Sequence, residues 1–83
     1  LGKNKSYPTL DLHGRKKDEV FDLIDRFLVQ NQSRNKVYIM PGKGSGALMA
    51  EAKKYLKLGG YPWSFDVLPS GKKNTGRLII HLD

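Results

Sequence analysis

The sequence predicts an α/β two-layer sandwich, β-α-β-α-β-β, in which two helices cover one four-stranded mixed sheet. Three observations predict it. Two short stretches, Thr9 to His13 and Trp63 to Leu68, alternate with period two, two more are short and apolar, centred on Val37 to Ile39 and on Leu78 to Ile80, and two longer ones carry apolar stripes with period 3.6. Glycine or proline punctuates most junctions between them. The chain has 83 residues, 39 % of them hydrophobic, which suits one domain with one small core.

Residues 1–8 read as a flexible N-terminal segment, polar up to Tyr7, with Pro8 at the entry to the first strand. The domain proper is expected over residues 9–83. Thr9 to His13 alternates, with Leu10 and Leu12 on one face and Asp11 and His13 on the other, and Gly14 ends it. From Asp18 to Val29, the residues Val20, Leu23, Ile24, Phe27 and Leu28 form one apolar helical stripe. Asp18 and Glu19 suit the first turn of that helix, where the dipole favours negative charge. Asn31 to Arg34 is a polar break. Lys36 to Met40 is the second strand, stopped by Pro41, which has no N–H to give to a ladder. After a glycine-rich turn a second helix runs from Ala47 to Lys57, with Leu48, Ala52, Tyr55 and Leu56 on its buried face. Gly59 or Gly60 supplies its left-handed C-cap. Trp63 to Leu68 alternates as a third strand. Pro69 to Gly76 reads as a polar loop, and Arg77 to Leu82 as the last strand with Leu78, Ile80 and Leu82 on one face.

Composition narrows the function classes. The chain has no cysteine, which excludes a disulfide scaffold and a thiolate zinc site and fits a reducing compartment. No apolar run approaches the roughly 20 residues that span a bilayer, and no signal-peptide pattern is present. A cytoplasmic protein without a membrane partner is the expectation. The chain opens on Leu1 rather than Met, so a parent protein with further domains remains in play. Fifteen Lys and Arg against eight Asp and Glu give a formal net charge of +7, and a folded basic domain attracts polyanions. Nucleic acid is the commonest such partner, and plain solubility is the bland alternative.

Two motifs carry the chemistry. The first is Leu10-Asp11-Leu12-His13-Gly14 and the second is Pro41-Gly42-Lys43-Gly44-Ser45-Gly46. Each sits where a predicted strand runs into a predicted helix, the usual place for chemistry in an α/β protein. If the two strands are neighbours, the motifs form one site. His13 is the best acid/base candidate, because an ordinary imidazole titrates near neutrality. Asp11 is two residues earlier and on the same face of the strand, where it can orient the imidazole, activate water or hold a divalent ion. The structural alternative is that both side chains brace the tight turn. Gly42, Gly44 and Gly46 free backbone N–H groups to cradle a phosphate, Ser45 adds a hydroxyl and Lys43 a point charge. A turn that needs glycines for close packing is the alternative here. The loop lacks the spacing of a Walker A motif and the acidic partner of a dinucleotide fingerprint.

Arg15, Lys16 and Lys17 follow the first motif and are placed to flank the same site, with Lys72, Lys73 and Arg77 as a second arm of the footprint. Trp63 and Phe65 read as core, and Tyr61 as a weak base-stacking candidate. Asp66 reads as a surface residue. His81 is remote in sequence and is given no role. No cluster has the ligand count of a zinc site, and folding is expected to need no cofactor. A Mg²⁺ or Mn²⁺ ion held by Asp11 and substrate phosphates is the metal chemistry open to the chain.

Taken together, the Asp-Leu-His-Gly motif, the basic step at Arg15 to Lys17, the following helix, the Gly42 to Gly46 turn and the late Asn74-Thr75-Gly76 turn resemble the Smr domain, the small MutS-related domain, from Thr9 to Leu82. Smr domains occur at the end of MutS2-type proteins and as small stand-alone proteins. The resemblance implies a fold similar to the C-terminal domain of bacterial translation initiation factor three. It also implies DNA or RNA binding and, in several members, endonuclease activity, in settings such as DNA repair or recombination. One departure stands out: where the family often has His before the glycine-rich turn, this chain has Pro41. A mechanism with one histidine from each loop is therefore closed to it. The resulting expectation is a monomeric nucleic-acid-binding domain, with phosphodiester hydrolysis by Asp11 and His13. A non-catalytic DNA- or RNA-binding module and a protein-docking module are the alternatives.

Overall fold

The structure is a computed structural model that describes residues 7–42 and 46–82. Lys43, Gly44 and Ser45, and most of the predicted N-terminal segment, lie outside the described residues. The elements follow the predicted order: β1 (Thr9–Asp11), a 3₁₀ turn (Lys17–Glu19), α1 (Val20–Gln30), β2 (Lys36–Met40), α2 (Ala47–Gly59), β3 (Trp63–Val67) and β4 (Lys73–His81). The strands form one mixed sheet in the order β1-β2-β4-β3. β1 and β2 are parallel, and β4 is antiparallel to both of its neighbours. β2 and β3 therefore run the same way, with β4 inserted between them.

Both helices lie on one face of this sheet. Val20, Ile24 and Leu28 of α1, Ala52 and Leu56 of α2, and Leu12, Val37, Ile39, Leu78 and Ile80 from the sheet side form one buried cluster. Burial of a side chain of this size stabilises by roughly 1.5–3 kcal/mol, so the cluster is the main source of stability. Leu10, Trp63 and Phe65 pack at its margin, which bears out the reading of the two aromatic residues as core. Strand alternation sends Asp11, Tyr38, Met40, Arg77, Ile79 and His81 to the other face, which no helix covers among the described residues.

Boundaries differ from expectation in three places. β1 closes at Asp11; Leu12 N–H still donates to Met40 O at 2.8 Å, but His13 and Gly14 have already entered a turn. Asp18 and Glu19 occupy the 3₁₀ turn, and α1 starts at Val20. At its far end Asn31 Nδ2 donates to Phe27 O at 2.8 Å and stops the helix. α2 runs to Gly59 and ends on Gly60 at φ +73°, with Tyr61 N–H donating back to Leu56 O at 2.9 Å.

The largest correction concerns residues 69–76. They are not one loop: β4 begins at Lys73, and Asn74, Thr75 and Gly76 are strand rather than turn. Leu68 N–H donates to Lys72 O at 2.8 Å and closes a short hairpin, after which Lys73 pairs with Val67 and Asn74 with Asp66. Residues 69–73 at this end of the hairpin are exposed, so the sequence is polar while Lys73 and Asn74 still pair. A bulge follows. Phe65 pairs with Leu78 and the next residue, Asp66, with Asn74, so residues 75–77 are accommodated within a single step of β3.

Candidate functional site

Parallel pairing in register, with Leu10 opposite Ile39 and Asp11 opposite Met40, brings the carboxyl ends of β1 and β2 side by side. The turns that follow them touch. Gly42 has φ +91°, and a Cβ placed on it would lie 3.0 Å from His13 Cβ and 3.1 Å from His13 Cα. Glycine is needed there for the left-handed backbone and for the close approach of the two turns. Pro41 is fully buried beneath them.

Asp11 holds His13 twice. Its Oδ1 accepts from the His13 backbone N–H at 3.0 Å and lies 3.0 Å from His13 Nδ1. With Nδ1 donating to the carboxylate, Nε2 is the nitrogen left to accept a proton. The backbone N–H of His13, and then its imidazole, keep the Asp11 carboxyl below the usual carboxylate range. The pair is open to a large ligand: the His13 side chain is 77 % exposed and that of Asp11 51 %.

A cleft of about 460 Å³ opens beside this pair on the uncovered sheet face. Asp11, His13, Met40 and Gly42 form one side, and β4 supplies Asn74, Gly76 and Arg77 across β2. The Arg77 guanidinium lies 4.4 Å from the Tyr38 ring centroid, and its Nε donates to Asp66 Oδ2 at 2.7 Å. The Arg77 hydrogen bond, followed by the Val67 backbone N–H, pulls the Asp66 carboxyl below its ordinary range. Asp66 is thus no free surface group; its side chain is only 15 % exposed. Asn74 Oδ1 accepts from Gly76 N–H at 3.1 Å. A second, smaller cleft of about 280 Å³ lies on the other side of Gly42, between Arg15, Lys17, Pro41 and the start of α2 at Gly46.

The predicted site residues divide as follows. Asp11, His13, Gly42, Gly46, Arg15, Lys17 and Arg77 border the two adjoining clefts. Lys43, Gly44 and Ser45 fall outside the described residues. Lys16 is exposed and uses its backbone N–H to hold Glu19 at 3.1 Å. Lys72 is exposed at the hairpin. Lys73 reaches the Phe65 ring, 5.7 Å from its centroid, on the helix side of the sheet, so it does not join Arg77 in one arm. Tyr61 stacks on Tyr55 with centroids 6.3 Å apart and packs against the core, away from the clefts. His81 Nε2 lies 3.0 Å from Ser64 Oγ and pairs with Lys36 at the opposite end of β2 from His13. Sequence reasoning passed over Tyr38, Met40 and Asn74. The alternation of β2 against Val37 and Ile39 already marks the first two as facing away from the core; Asn74 is aimed by the bulge, which has no local sequence signal. Among the described residues no group of three or more His, Asp or Glu could hold a metal ion, and no helix is long and apolar enough to cross a membrane.

The Smr domain model matches residues 10–83. Among curated proteins, the Endonuclease MutS2 of Lactobacillus gasseri is 30 % identical over 84 residues, covering 99 % of this chain and 11 % of that protein. The Endonuclease MutS2 of Pediococcus pentosaceus is 33 % identical over 75 residues, covering 88 % of this chain and 10 % of that protein. The chain thus spans about a tenth of the length of these relatives. The crystal structure of the Smr domain of Thermus thermophilus MutS2 matches with a TM-score of 0.75 at 24 % identity, covering 92 % of this chain and 98 % of that one; the likeness is one of fold.

Proposed function

This chain belongs to the Smr domain family, and on that premise we propose that it binds DNA or RNA across the two clefts and hydrolyses a phosphodiester bond beside His13. The observation that carries this reading is the Asp11–His13 pair, built on a turn that packs directly on Gly42. The name of the relatives, Endonuclease MutS2, supports the same chemistry. Asp11 fixes the imidazole through Nδ1. Nε2 then takes a proton from the attacking water as its oxygen bonds to phosphorus, or returns one to the leaving sugar oxygen as the other P–O bond breaks. Arg15 and Lys17, with Lys16, Lys43 and the backbone of the Gly42–Gly46 loop, hold the phosphate and offset its developing charge. Asp11, the carboxylate at the cleft, would hold a Mg²⁺ or Mn²⁺ ion if one binds with the substrate, and the ion would neutralise phosphate charge. Kinship with the C-terminal domain of initiation factor three belongs to this reading and rests on the family resemblance alone.

Binding without cleavage is the second reading, favoured by Pro41, which is buried where the family often offers an imidazole. A protein-docking role has less support: the exposed large apolar residues Val29, Met40, Leu58, Val67 and Leu68 sit on separate elements or at their ends. The deciding assay is cleavage of labelled DNA and RNA with Mg²⁺, Mn²⁺ or EDTA. His13→Ala and Asp11→Asn should each retain binding and lose cleavage, His13→Ala by about a hundredfold. Equal cleavage by the wild type and both variants would remove the proposed chemistry, and no cleavage in any condition would leave the binding module. Affinity should fall steeply with salt as phosphate contacts release counterions.

A further inference from the structure

We propose that the larger cleft is a nucleobase subsite, which selects substrates carrying unpaired bases and seats one base against Arg77 and Met40 with Asn74 at its edge. This rests on the nucleic-acid reading above. It adds what the family reading lacks, a reason for the domain to prefer one kind of nucleic acid.

Arg77 is the first argument. Its Nε is committed to Asp66 at 2.7 Å and Tyr38 backs its guanidinium at 4.4 Å. Tyr38 is in turn held edge-on by Tyr7, with centroids 5.9 Å apart. A bidentate phosphate contact draws on the guanidinium's unanswered charge and its free N–H fork. Here the charge is answered by a carboxylate and the guanidinium is immobilised. What remains is a fixed, weakly hydrated flat group that borders the cleft. Such a group suits stacking on a base, which needs a surface rather than a charge.

Asn74 is the second argument. Gly76 N–H occupies its Oδ1, which sets the plane of the amide. Its Nδ2 hydrogens are then the donors left for a carbonyl or ring nitrogen on a base edge. Gly42 and Gly76 put no side chain into the cleft, so a ring can approach the backbone on both sides. Met40, 37 % exposed, adds an apolar, polarisable contact. The volume of about 460 Å³ is within the range of small-molecule sites.

The bulge is the third argument. Residues 74 and 77 are three apart, so an unbroken strand would send them to opposite faces. The register shift at Phe65 and Asp66 brings both to the face that carries His13. A local break in pairing that re-aims one side chain beside an acid/base pair is a frequent way to build a site. A base inside a duplex cannot use this site, because its faces are stacked and its pairing edge is spent.

The test compares three labelled ligands of equal length at one low salt concentration: a single strand, the same strand with abasic sugars throughout, and the blunt duplex, each as DNA, with the single strand and duplex repeated as RNA. The single strand should bind about tenfold more tightly than the abasic strand or the duplex, the effect of one or two stacked bases. Arg77→Lys, which keeps the charge and removes the plane, and Asn74→Ala should each weaken the base-bearing strand more than the abasic one and so erase most of that difference. Equal affinity for base-bearing and abasic strands would overturn the subsite while leaving nucleic-acid binding intact. No binding to any ligand would remove both. A readout without variants guards against misfolded ones: 2-aminopurine in the single strand should change its emission when the wild-type chain binds, and unchanged emission on a bound strand overturns the subsite.

Discussion

The two faces of the sheet obey different rules. The covered face is apolar except at the hairpin end, where Lys73 lies over the Phe65 ring; ten of the residues in this layer are at most 1 % exposed. The open face is mixed, with a carboxylate–imidazole pair at one end, a guanidinium clamped between Tyr38 and Asp66 in the middle, and a serine–histidine contact at the other end. On the covered face any well-filling apolar side chain serves, because burial has no direction. On the open face position matters more than type, since each group acts through a hydrogen bond or a ring contact of defined geometry. The first face determines whether the chain folds; the second carries the groups proposed to act on nucleic acid.

Substitutions can break that division or sharpen it. Leu78→Ala should have the largest effect, about 3 kcal/mol lost in denaturant unfolding, because the residue is fully buried in a strand with partners on both sides. Any loss of nucleic-acid binding should follow the unfolded fraction. Gly42→Ala tests the seam between the faces. A left-handed backbone and a Cβ 3.0 Å from His13 should cost about 2 kcal/mol, and cleavage should fall more than stability predicts because His13 is displaced. A variant with full stability and full cleavage would show that the two turns are not coupled.

Asp66→Asn removes the clamp on Arg77 and should destabilise by about 1 kcal/mol, the partial exposure of Arg77 reducing what a charged hydrogen bond yields. Its pH signature has a definite sign. The folded state holds the Asp66 carboxyl below the ordinary carboxylate range, so this contribution is full above that range and is lost as pH falls through the folded value. Unfolding curves of wild type and Asp66→Asn should therefore converge in acid and separate towards neutrality. The smallest effect is expected in the helical layer, far from both turns. Tyr55 OH donates to Asp25 Oδ1 at 2.8 Å and links α2 to α1. Burial first, and then Asp25, push the phenol up to about 12. Tyr55→Phe should cost about 0.5–1 kcal/mol and leave nucleic-acid binding unaltered. Ultraviolet titration should show Tyr55 ionising near 12, with its contribution present below the ordinary phenol range and lost as pH rises through about 12.

The two faces were not equally legible in the sequence. The covered one could be read almost residue by residue, because Val20, Ile24 and Leu28 recur at helical spacing and Val37 and Ile39, like Leu78 and Ile80, at strand spacing. The Asp11 and His13 pairing was visible for the same reason, two residues apart on one strand. The other wall of the cleft was not. Asn74, Thr75 and Gly76 have the composition of a turn, and local propensity says nothing of a partner strand that supplies the pairing. The link between Arg77 and Asp66 depends on register across two strands, which no window along the chain contains. Pro41 shows the reverse: its end-of-strand role was plain, whereas its complete burial between the two turns was not.

The position of β4 has a consequence for how the chain is made. Synthesis delivers β1, β2 and β3 first, yet β2 and β3 share no edge; each meets β4 instead. Lys36 waits for His81, and Ile39 for Leu78. Until β4 is out, β2 has no partner on one edge and β3 has none among the described strands. Contacts so distant along the chain slow folding and delay it until β4 has emerged. The cleft wall that carries Asn74 and Arg77 sits on the same late strand. A ribosome stalled before residue 73 would therefore hold a chain with neither a finished sheet nor a finished binding surface, and the two would be gained together.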